Sequence, residues 1–300
     1  GEWYHDISAE KIYIYFGTTD PESLVGEIAT LKNLVYNNGN DYITIDNINF
    51  KGSISNLVEF VNNSCDYLTI QNSFLQFAGL DGINLWGKNG IISKNSISSC
   101  NQTGIKALGD GHTIINNVIE NIGLIVGQAF WGNLTNGIAV ADNNCLIKYN
   151  NIQNIGYNGI KLSSTADIIT IQNNYIHDVL LTLNDGGGIY TAAEGISRKI
   201  DGNIILNVIG NTAGTPYPDR HIARGIYLDV KSTNVIVTNN TVANCNEAGY
   251  MIHRAHDNKI ENNTAFNNGY GMYFQNNSES NIRNNSLKNN LFIAKSSTQL

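Results

Sequence analysis

The chain has 300 residues, of which only 14% are charged, 3 are Pro and about one in six is Asn, and its formal net charge is -7. Its dispersed Lys and Arg residues form no basic stripe, which argues against a nucleic-acid partner. No apolar stretch has the length of a membrane span, and the chain opens on GEWYHD without a basic or apolar leader. We expect a secreted or periplasmic protein with no membrane partner, whose signal peptide is not part of this sequence.

The first forty residues differ in pattern from the rest of the chain. GEWYHDISAEKIYIYF predicts two alternating strands joined by a turn around Ile7 to Lys11, and Ser23 to Thr30 predicts a further strand or a single helical turn. DYITIDNINF, which begins at Asp41, is a weakened first copy of the repeat that follows. Because the open end of a repeat structure exposes core and unpaired strand edge, we interpret residues 1–40 as an N-terminal β cap and residues 41–300 as the repeat domain.

Two short motifs alternate along the repeat domain. The first is an apolar residue, two residues, Asn, one residue and a second apolar residue, and it occurs at Ile92-Asn95-Ile97, Ile114-Asn117-Ile119, Ile147-Asn150-Ile152, Ile171-Asn174-Ile176, Ile200-Asn203-Ile205, Val237-Asn240-Val242, Ile260-Asn263-Ala265 and Ile282-Asn285-Leu287. The second is a Gly that opens an alternating strand, at Gly82, Gly104, Gly137, Gly159, Gly188, Gly225, Gly249 and Gly271. Self-similarity at a fixed period indicates a repeat architecture.

A repeat of about 22 residues with two short strands predicts an all-β fold, a single-stranded parallel β-helix of about ten coils. Each coil buries its apolar face by stacking on its neighbours. The Asn column has a structural cause, since an Asn at the same turn of every coil adopts left-handed backbone angles and passes amide hydrogen bonds to the next coil. We therefore assign the Asn residues to the scaffold.

The four cysteines, Cys65, Cys100, Cys145 and Cys245, show no metal-binding or redox spacing. We predict that they are small buried side chains. No calcium-loop pattern is present, so we predict no metal site and no cofactor.

Three coils carry inserts, and all three inserts fall between the motif Asn and the next strand Gly, at Asn117 to Gly137, Asn174 to Gly188 and Asn203 to Gly225. Inserts confined to one edge of a repeat structure build a wall beside the strands, and the strand face next to that wall becomes a groove. Aromatic side chains mixed with polar and charged groups suit a sugar-binding cleft. From the inserts and their ends we select Trp131, Asp219, His221 and Arg224 as candidate substrate-binding residues.

Alternation fixes which strand side chains point away from the core. Counting from each strand Gly, the second and fourth residues point outward. In three consecutive coils these positions hold Tyr190, Tyr227, Asp229 and His253, which we expect to form one outward cluster beside the longest insert. Arg224 and Arg254 are close to this cluster in sequence. We predict a functional site here, because such groups are an unusual choice for a merely solvated face.

Several segments resemble a known group of proteins. The opening GEWYHD, the Asn ladder, NDGGGIYT, RGIYLDVKSTNVIVTNN, GYMIHRAHDNKIENN and NNLFIAK together resemble secreted bacterial right-handed parallel β-helix proteins that act on carbohydrates, including glycoside hydrolases of the fucosidase or xylosidase type. The resemblance implies that Asp185 and Asp229 are a catalytic carboxylate pair. It departs at the position one coil beyond Asp229, which is His253.

Three functions follow as hypotheses. In each of them the protein is a monomer and its partner is a polysaccharide or oligosaccharide. Hydrolysis would use Asp229 and Asp185, with Asp219 and Glu194 as alternative second acids. In flat strands Asp185 and Asp229 would lie about 20 Å apart, so this mechanism needs a sharp turn at Gly186-Gly187, where glycine permits positive φ angles. A lyase or epimerase acting on a uronic-acid glycan would use His253, Tyr227 and an arginine. A non-catalytic β-helix would bind glycan in the same groove.

Overall fold

A computed structural model describes residues 2–23, 25–62, 64–128, 135–276 and 281–294. It divides into two compact units, Gly1–Thr30 and Leu31–Leu300. In the first unit β1 (Glu2–Asp6) and β2 (Lys11–Tyr15) form an antiparallel hairpin, which confirms the two predicted strands and their turn. A 3-10 turn follows at Pro21–Ser23. Residues 25–30 form neither strand nor helix, so the strand or helical turn predicted there is not present.

The second unit consists of three parallel sheets of ten strands each. Sheet A contains β3 (Val35–Asn38), β6 (Val58–Val61), β9 (Ile83–Trp86), β12 (Ile105–Leu108), β15 (Asn136–Val140), β18 (Asn158–Leu162), β21 (Gly186–Thr191), β24 (Ala223–Leu228), β27 (Ala248–His253) and β30 (Tyr270–Gln275). Sheet B contains β4 (Thr44–Asp46), β7 (Thr69–Gln71), β10 (Ile91–Ser93), β13 (Thr113–Ile115), β16 (Leu146–Lys148), β19 (Thr170–Gln172), β22 (Arg198–Asp201), β25 (Val235–Thr238), β28 (Lys259–Glu261) and β31 (Ser286–Lys288). Sheet C contains β5 (Asn49–Ser53), β8 (Phe74–Ala78), β11 (Ser96–Cys100), β14 (Val118–Ile122), β17 (Asn151–Ile155), β20 (Tyr175–Val179), β23 (Ile204–Val208), β26 (Thr241–Cys245), β29 (Thr264–Phe266) and β32 (Leu291–Ile293).

Each coil therefore carries three strands, and the prediction of two is wrong. The apolar–Asn–apolar motif spans two strands instead of one, as β10 and β11 show on either side of Asn95. A buried Asn marks the bend from sheet B to sheet C. The predicted β-helix of about ten coils is confirmed. The repeat domain begins earlier than residue 41, because β3 already pairs in register with β6.

The predicted hydrogen bonds of the Asn ladder are present, but the predicted backbone angles are not. From Asn95 to Asn290 each ladder Asn donates its side-chain amide to the Oδ1 of the ladder Asn in the next coil at 2.9 to 3.0 Å. The ladder residues do not themselves adopt left-handed angles. The positive φ falls on the preceding residue, at Lys94, Asn116, Tyr149, Asn173, Gly202, Asn239 and Asn262. In the last coil the ladder continues at Asn290, not at Asn285, which pairs with Asn258.

The core is a set of aliphatic stacks that run along the coils. In sheet B, Ile92, Ile114, Ile147, Ile171 and Ile200 pair in register and are fully buried. The strand glycines form a second column because they allow close approach between coils. A Cβ on Gly225 would lie 2.1 Å from a methyl group of Val242 and 2.6 Å from the carbonyl oxygen of Gly249. All four cysteines are buried and free, as predicted.

The inserts fall where the sequence places them, between sheet C and sheet A. They join β14 to β15, β20 to β21 and β23 to β24. The last two deliver the chain directly into neighbouring strands of sheet A, since β21 pairs with β24 and β24 with β27. This edge of sheet A therefore concentrates the irregular part of the solenoid.

Candidate functional site

Three neighbouring strands, β21, β24 and β27, carry a cluster of polar side chains on the outer face of sheet A. Tyr190 pairs in register with Tyr227, and Tyr227 with Met251. The rings of Tyr190 and Tyr227 meet edge to face with centroids 5.2 Å apart. Tyr227 and Met251 point away from the core but are buried, so neighbouring side chains exclude water from this part of the outer face.

Asp229 lies at the centre of the cluster, just after β24. Tyr190 donates its hydroxyl to Asp229 Oδ2 at 2.8 Å, and Asp229 Oδ1 lies 2.6 Å from His253 Nδ1. Burial by itself would raise the pKa of Asp229, but hydrogen bonds from His253, the Val230 amide and the tyrosines outweigh it and leave the pKa below its ordinary value. Asp229 is therefore an ionised hydrogen-bond acceptor.

His253 ends β27 and is oriented by two neighbours. Its Nδ1 lies 2.6 Å from Asp229 Oδ1 and 3.2 Å from the Tyr227 hydroxyl. A carboxylate partner fixes the proton on Nδ1, since only a protonated nitrogen can donate to it. Within the part of the chain that the structure describes, Nε2 has no hydrogen-bond partner, and 17% of the side chain is exposed. In the neutral ring the second nitrogen, Nε2, is therefore the acceptor.

A second network lies at the start of the same strands. Arg224 donates from one terminal nitrogen to Asp185 Oδ1 at 2.6 Å, and its Nε forms an ion pair with Glu247. Arg220 reaches Glu247 from the insert at 2.5 Å. The Arg224 guanidinium also lies 4.3 Å from the Tyr227 ring centroid, in cation–π contact. Arg224 thus connects the Asp185 end of the face to the Asp229 cluster.

The turn before β21 differs from the expected one. Gly186 and Gly187 are strand residues without positive φ, and the left-handed residue is Asp185 itself, at φ 61°. The glycines are needed for space instead. A Cβ on Gly186 would lie 2.7 Å from the Tyr157 ring, and one on Gly187 would lie 3.3 Å from Tyr227 Cβ. The prediction of a glycine turn is therefore wrong, because close neighbours, and not the backbone angles, require these glycines: Asn158 Oδ1 and the Tyr157 ring at Gly186, and the carbonyl oxygens of Arg224 and Ile189 at Gly187.

Strict alternation also fails at the strand glycine. Arg224 precedes Tyr227 by three residues, so alternation would place them on opposite faces, yet their side chains are in contact. The register of β21 and β24 pairs Gly187 with Arg224 and then Ile189 with Ile226. Gly188 and Gly225 are left out of this pairing. The break in alternation at Gly225 brings the Arg224 guanidinium onto the outer face.

The phenols of the cluster remain protonated. Burial, together with the negative charges of Asp229 and Asp185, raises the pKa of Tyr190 well above its ordinary value. Burial likewise raises the pKa of Tyr227 and of Tyr157. Tyr157 donates its hydroxyl to the carbonyl oxygen of Asp185 at 2.5 Å. These tyrosines act as hydrogen-bond donors, not as bases.

Several residues selected from the sequence lie outside this cluster. His221 Nδ1 lies 2.6 Å from the carbonyl oxygen of Gly210, within its own insert. Asp219 and Glu194 are exposed, on the insert and after β21 respectively. Arg254 directly follows His253 and is half-buried at φ 53°. Trp131 lies outside the described residues.

The sequence did not identify Glu247, Arg220 or Tyr157 as parts of the site. Glu247 comes two residues before Gly249, at the position of Gly186 and Ala223 in the preceding coils. Its charge is the signal that could have identified it, because the same position in the other coils holds the uncharged residues Leu80, Gln102, Thr135, Tyr157, Gly186, Ala223 and Gly269. Tyr157 occupies the same column in a coil without an insert, and Arg220 lies on an insert whose path the repeat does not determine.

No metal centre can be built from the residues described. Among them, no group of three or more His, Cys, Asp or Glu side chains is arranged to hold a metal ion. The same residues contain no helix with the length and hydrophobicity needed to cross a bilayer.

Three parallel sheets built from stacked coils define a β-solenoid with a polar cluster on one outer face, and comparison with known proteins assigns its family. The family described as "Right handed beta helix region" matches residues 136–299, so the chain belongs to the right-handed β-helix family. No curated protein sequence matches the chain.

Solved structures share the fold at low identity. The surface adhesin PfbA of Streptococcus pneumoniae is 13% identical with a TM-score of 0.56, covering 86% of this chain and 73% of the adhesin. The catalytic unit of a GH87 α-1,3-glucanase from Streptomyces thermodiastaticus strain HF3-3 is 16% identical with a TM-score of 0.47, covering 85% of this chain and 62% of that unit. Pectate lyase Pel9A is 14% identical with a TM-score of 0.46, covering 88% of this chain and 69% of the lyase. This chain thus spans about three fifths of the glucanase unit.

Proposed function

We propose that the protein is a carbohydrate-active enzyme that removes a proton next to the carboxylate of a uronic-acid glycan, with His253 as the base. The product is a shortened chain if the glycosidic bond then breaks, and an epimer if the proton returns to the other face. The enzyme works outside the cytoplasm on a polysaccharide or oligosaccharide that lies along the outer face of sheet A.

The contact between His253 and Asp229 carries this proposal. It holds the proton on Nδ1 and leaves Nε2 as an acceptor, which is how a carboxylate prepares an imidazole for general-base catalysis. Asp229 is largely buried, with 14% of its side chain exposed, and it accepts hydrogen bonds from Tyr190 as well as from His253. Asp229 is therefore a positioning residue, and His253 is the residue that contacts substrate.

The elimination needs no added reagent. His253 Nε2 takes the proton from the carbon that bears the carboxylate, and the electrons of that C–H bond form a carbon–carbon double bond. The neighbouring C–O bond breaks, and its electrons leave with the oxygen. That oxygen receives a proton from water or from the imidazolium. The protonated phenols of Tyr190 and Tyr227 hold the base in place: Tyr190 donates to Asp229 Oδ2, and the Tyr227 hydroxyl lies 3.2 Å from His253 Nδ1.

Hydrolysis by Asp229 and Asp185 receives less support from the geometry. The Asp185 amide donates to the carbonyl oxygen of Ile222, which places Asp185 seven residues before Asp229 along neighbouring strands. The charges of both carboxylates act on the phenols of Tyr190 and Tyr227, so the two groups share one face. The Arg224 guanidinium and the Tyr227 ring lie between them, whereas a glycosidase pair must flank the bond that is cleaved. Each carboxylate also has its own partner, Arg224 for Asp185 and His253 for Asp229. An enzyme of the fucosidase or xylosidase type would need this pair.

A product screen tests the proposal. The protein is incubated with uronic-acid oligosaccharides, with their carboxyl-reduced forms and with neutral oligosaccharides, and the products are followed by mass and ultraviolet absorbance. Elimination conserves the summed mass and creates an absorbing double bond, whereas hydrolysis adds one water. Epimerisation changes neither mass nor absorbance and is followed by NMR of the sugar ring.

The matched variants are His253→Gln and His256→Gln. Both histidines contact an aspartate through Nδ1 at 2.6 Å, but His256 pairs with Asp257 at a bend outside the cluster. His253→Gln should lower the rate by at least about 100-fold, and His256→Gln should leave it unchanged. Products that carry an added water, or full activity of His253→Gln, would refute the proposal.

A further inference from the structure

A cavity lies on the outer face of sheet A, in the coils on the N-terminal side of the cluster. It has a volume of about 120 Å³, and its lining includes Lys106, Ala139, Lys161 and Asp81. Ala139 pairs in register with Lys106 on one side and with Lys161 on the other. The cavity exists because Ala139 is small and lies between two long side chains on adjacent coils. Ala141, the next outward-pointing residue of the same coil, is also small.

The charge in this cavity is incompletely balanced. Burial lowers the pKa of Lys161, and no charged group offsets this effect. Among the described residues Lys161 has no ion-pair partner. Asp81, which is buried, interacts electrostatically with Lys106 and does not offset the effect of burial on Lys161. Burial, together with the charge of Glu59, raises the pKa of Asp81. A desolvated ammonium group without a counter-charge favours binding of an anion from outside.

The cavity adjoins the proposed catalytic face. Lys161 pairs in register with Tyr190, so the ammonium-bearing strand lies next to the strand that carries the first residue of the cluster. Adjacent coils are about 4.8 Å apart, which puts Ala139 about 10 Å from Tyr190 along the helix axis. A glycan that lies along sheet A at the cluster therefore passes over the cavity.

We infer that the cavity between Lys106 and Lys161 is a subsite for an anionic group of the glycan, either a carboxylate or a sulfate ester. It would hold a sugar unit beside the one that reacts at His253 and would make the enzyme select polyanionic substrates. Identification of the ligand as a glycan rests on the proposed function, whereas anion binding at Lys161 does not.

Binding can be measured without turnover. His253→Ala serves as the background, and calorimetry is carried out with three probes, an oligouronate, a sulfated neutral oligosaccharide and the carboxyl-reduced oligouronate. Lys161→Met should weaken binding of the matching acidic probe at least tenfold. Lys88→Met removes the same charge from an exposed position outside the cavity and should change the Kd less than twofold. The acidic probe that responds to Lys161→Met identifies the anionic group.

Asp81→Asn should change the affinity for the acidic probe in the opposite direction. Asp81 Oδ1 accepts the Thr103 amide at 3.0 Å, and an Asn oxygen can accept the same hydrogen bond. Removing its negative charge should tighten binding of the acidic probe by about threefold or more. The Lys161 ammonium should also shift in nitrogen-15 NMR when sodium glucuronate or sodium sulfate is added.

The outcomes separate this inference from the proposed function. If Lys161→Met weakens acidic-probe binding but the wild-type protein converts no probe, the subsite stands and the reaction is wrong. If the wild-type protein converts oligouronates while Lys161→Met leaves both Kd and KM unchanged, the subsite is wrong and the reaction stands. Equal affinity for the acidic and carboxyl-reduced probes, with no shift at Lys161, overturns the subsite.

Discussion

His253 Nδ1 lies 2.6 Å from Asp229 Oδ1, across adjacent coils of sheet A. The two residues are 24 positions apart in sequence and come together because Leu228 and Ile252 pair in register immediately before them. Parallel stacking thus places residues one repeat apart in sequence within hydrogen-bonding distance.

This relationship predicts different effects for the two aspartates. Asp229→Asn removes the charge that orients His253 and should reduce kcat by about 100-fold or more while changing KM little. Asp185→Asn should reduce kcat by less than about tenfold, because Asp185 contacts Arg224 and not the imidazole. Steady-state kinetics on the converted glycan provides the measurement. Equal loss of kcat in both variants would point back to a carboxylate pair.

Arg224 is predicted to be a stability residue as well as a neighbour of the site. It is 4% exposed and compensates Glu247, which is 6% exposed. Arg224→Met should lower the free energy of unfolding by about 3 kcal/mol, because it leaves a buried carboxylate with only Arg220. Arg220→Met removes a half-exposed partner and should cost less than about 1 kcal/mol. Adding Glu247→Gln to Arg224→Met should restore part of the loss in urea unfolding, and no recovery would contradict the role of Glu247.

His112 predicts an acid-dependent loss of stability. It is buried, its Nδ1 accepts the Gly90 amide at 3.1 Å and its Nε2 lies 3.2 Å from the carbonyl oxygen of Leu108, which suits a neutral ring. Burial lowers the pKa of His112 below 6.5, so the unfolded state binds a proton first as the pH falls. The contribution of His112 to the free energy of unfolding is therefore complete above about pH 6.5, and it is lost as the pH falls through the lowered pKa of the folded state. His112→Asn should flatten unfolding stability over this interval, whereas His5→Asn should not.

The Asn ladder should be costly to interrupt. Asn150 donates to Asn174 Oδ1 and to the carbonyl oxygen of Ile114, and it accepts from Asn117. Asn150→Ala leaves these buried groups without partners and should cost about 3 kcal/mol or more. Asn101→Ala, at a half-buried turn, should cost less than about 1 kcal/mol. Thermal unfolding of both variants gives the comparison, and equal stability would show that the ladder contributes little.

The strand glycines should not accept a side chain. Gly225→Ala would place a Cβ 2.1 Å from Val242 and 2.6 Å from the Gly249 carbonyl oxygen, so the coils must separate. We expect a loss of about 3 kcal/mol in chemical denaturation. Gly26→Ala is the control, because nothing lies within 4 Å of its Cβ position and its φ is not positive. A stable Gly225→Ala variant would indicate that the coils are less tightly stacked than the structure shows.

The sequence by itself determined the solenoid, the Asn ladder, the insert edge and the outward positions of Tyr190 and Asp229. These features depend on a local pattern that recurs every coil, so each copy reinforces the same inference. The prediction of two strands per coil was wrong, because a buried Asn at a bend interrupts a strand without changing the apolar period.

Only the tertiary structure decided which side chains meet at the site. The irregularity at Gly225 brings Arg224 onto the Tyr227 ring, and Glu247 and Tyr157 arrive from other coils. It also decided the roles of the two aspartates, because hydrogen-bond partners and not residue type place Asp229 behind His253 and Asp185 on Arg224. The Asp229–His253 contact follows from the regular stacking of coils. Asp185 and Arg224 stand at the ends of inserts that break the repeat, and a broken repeat leaves no period from which to predict their contact.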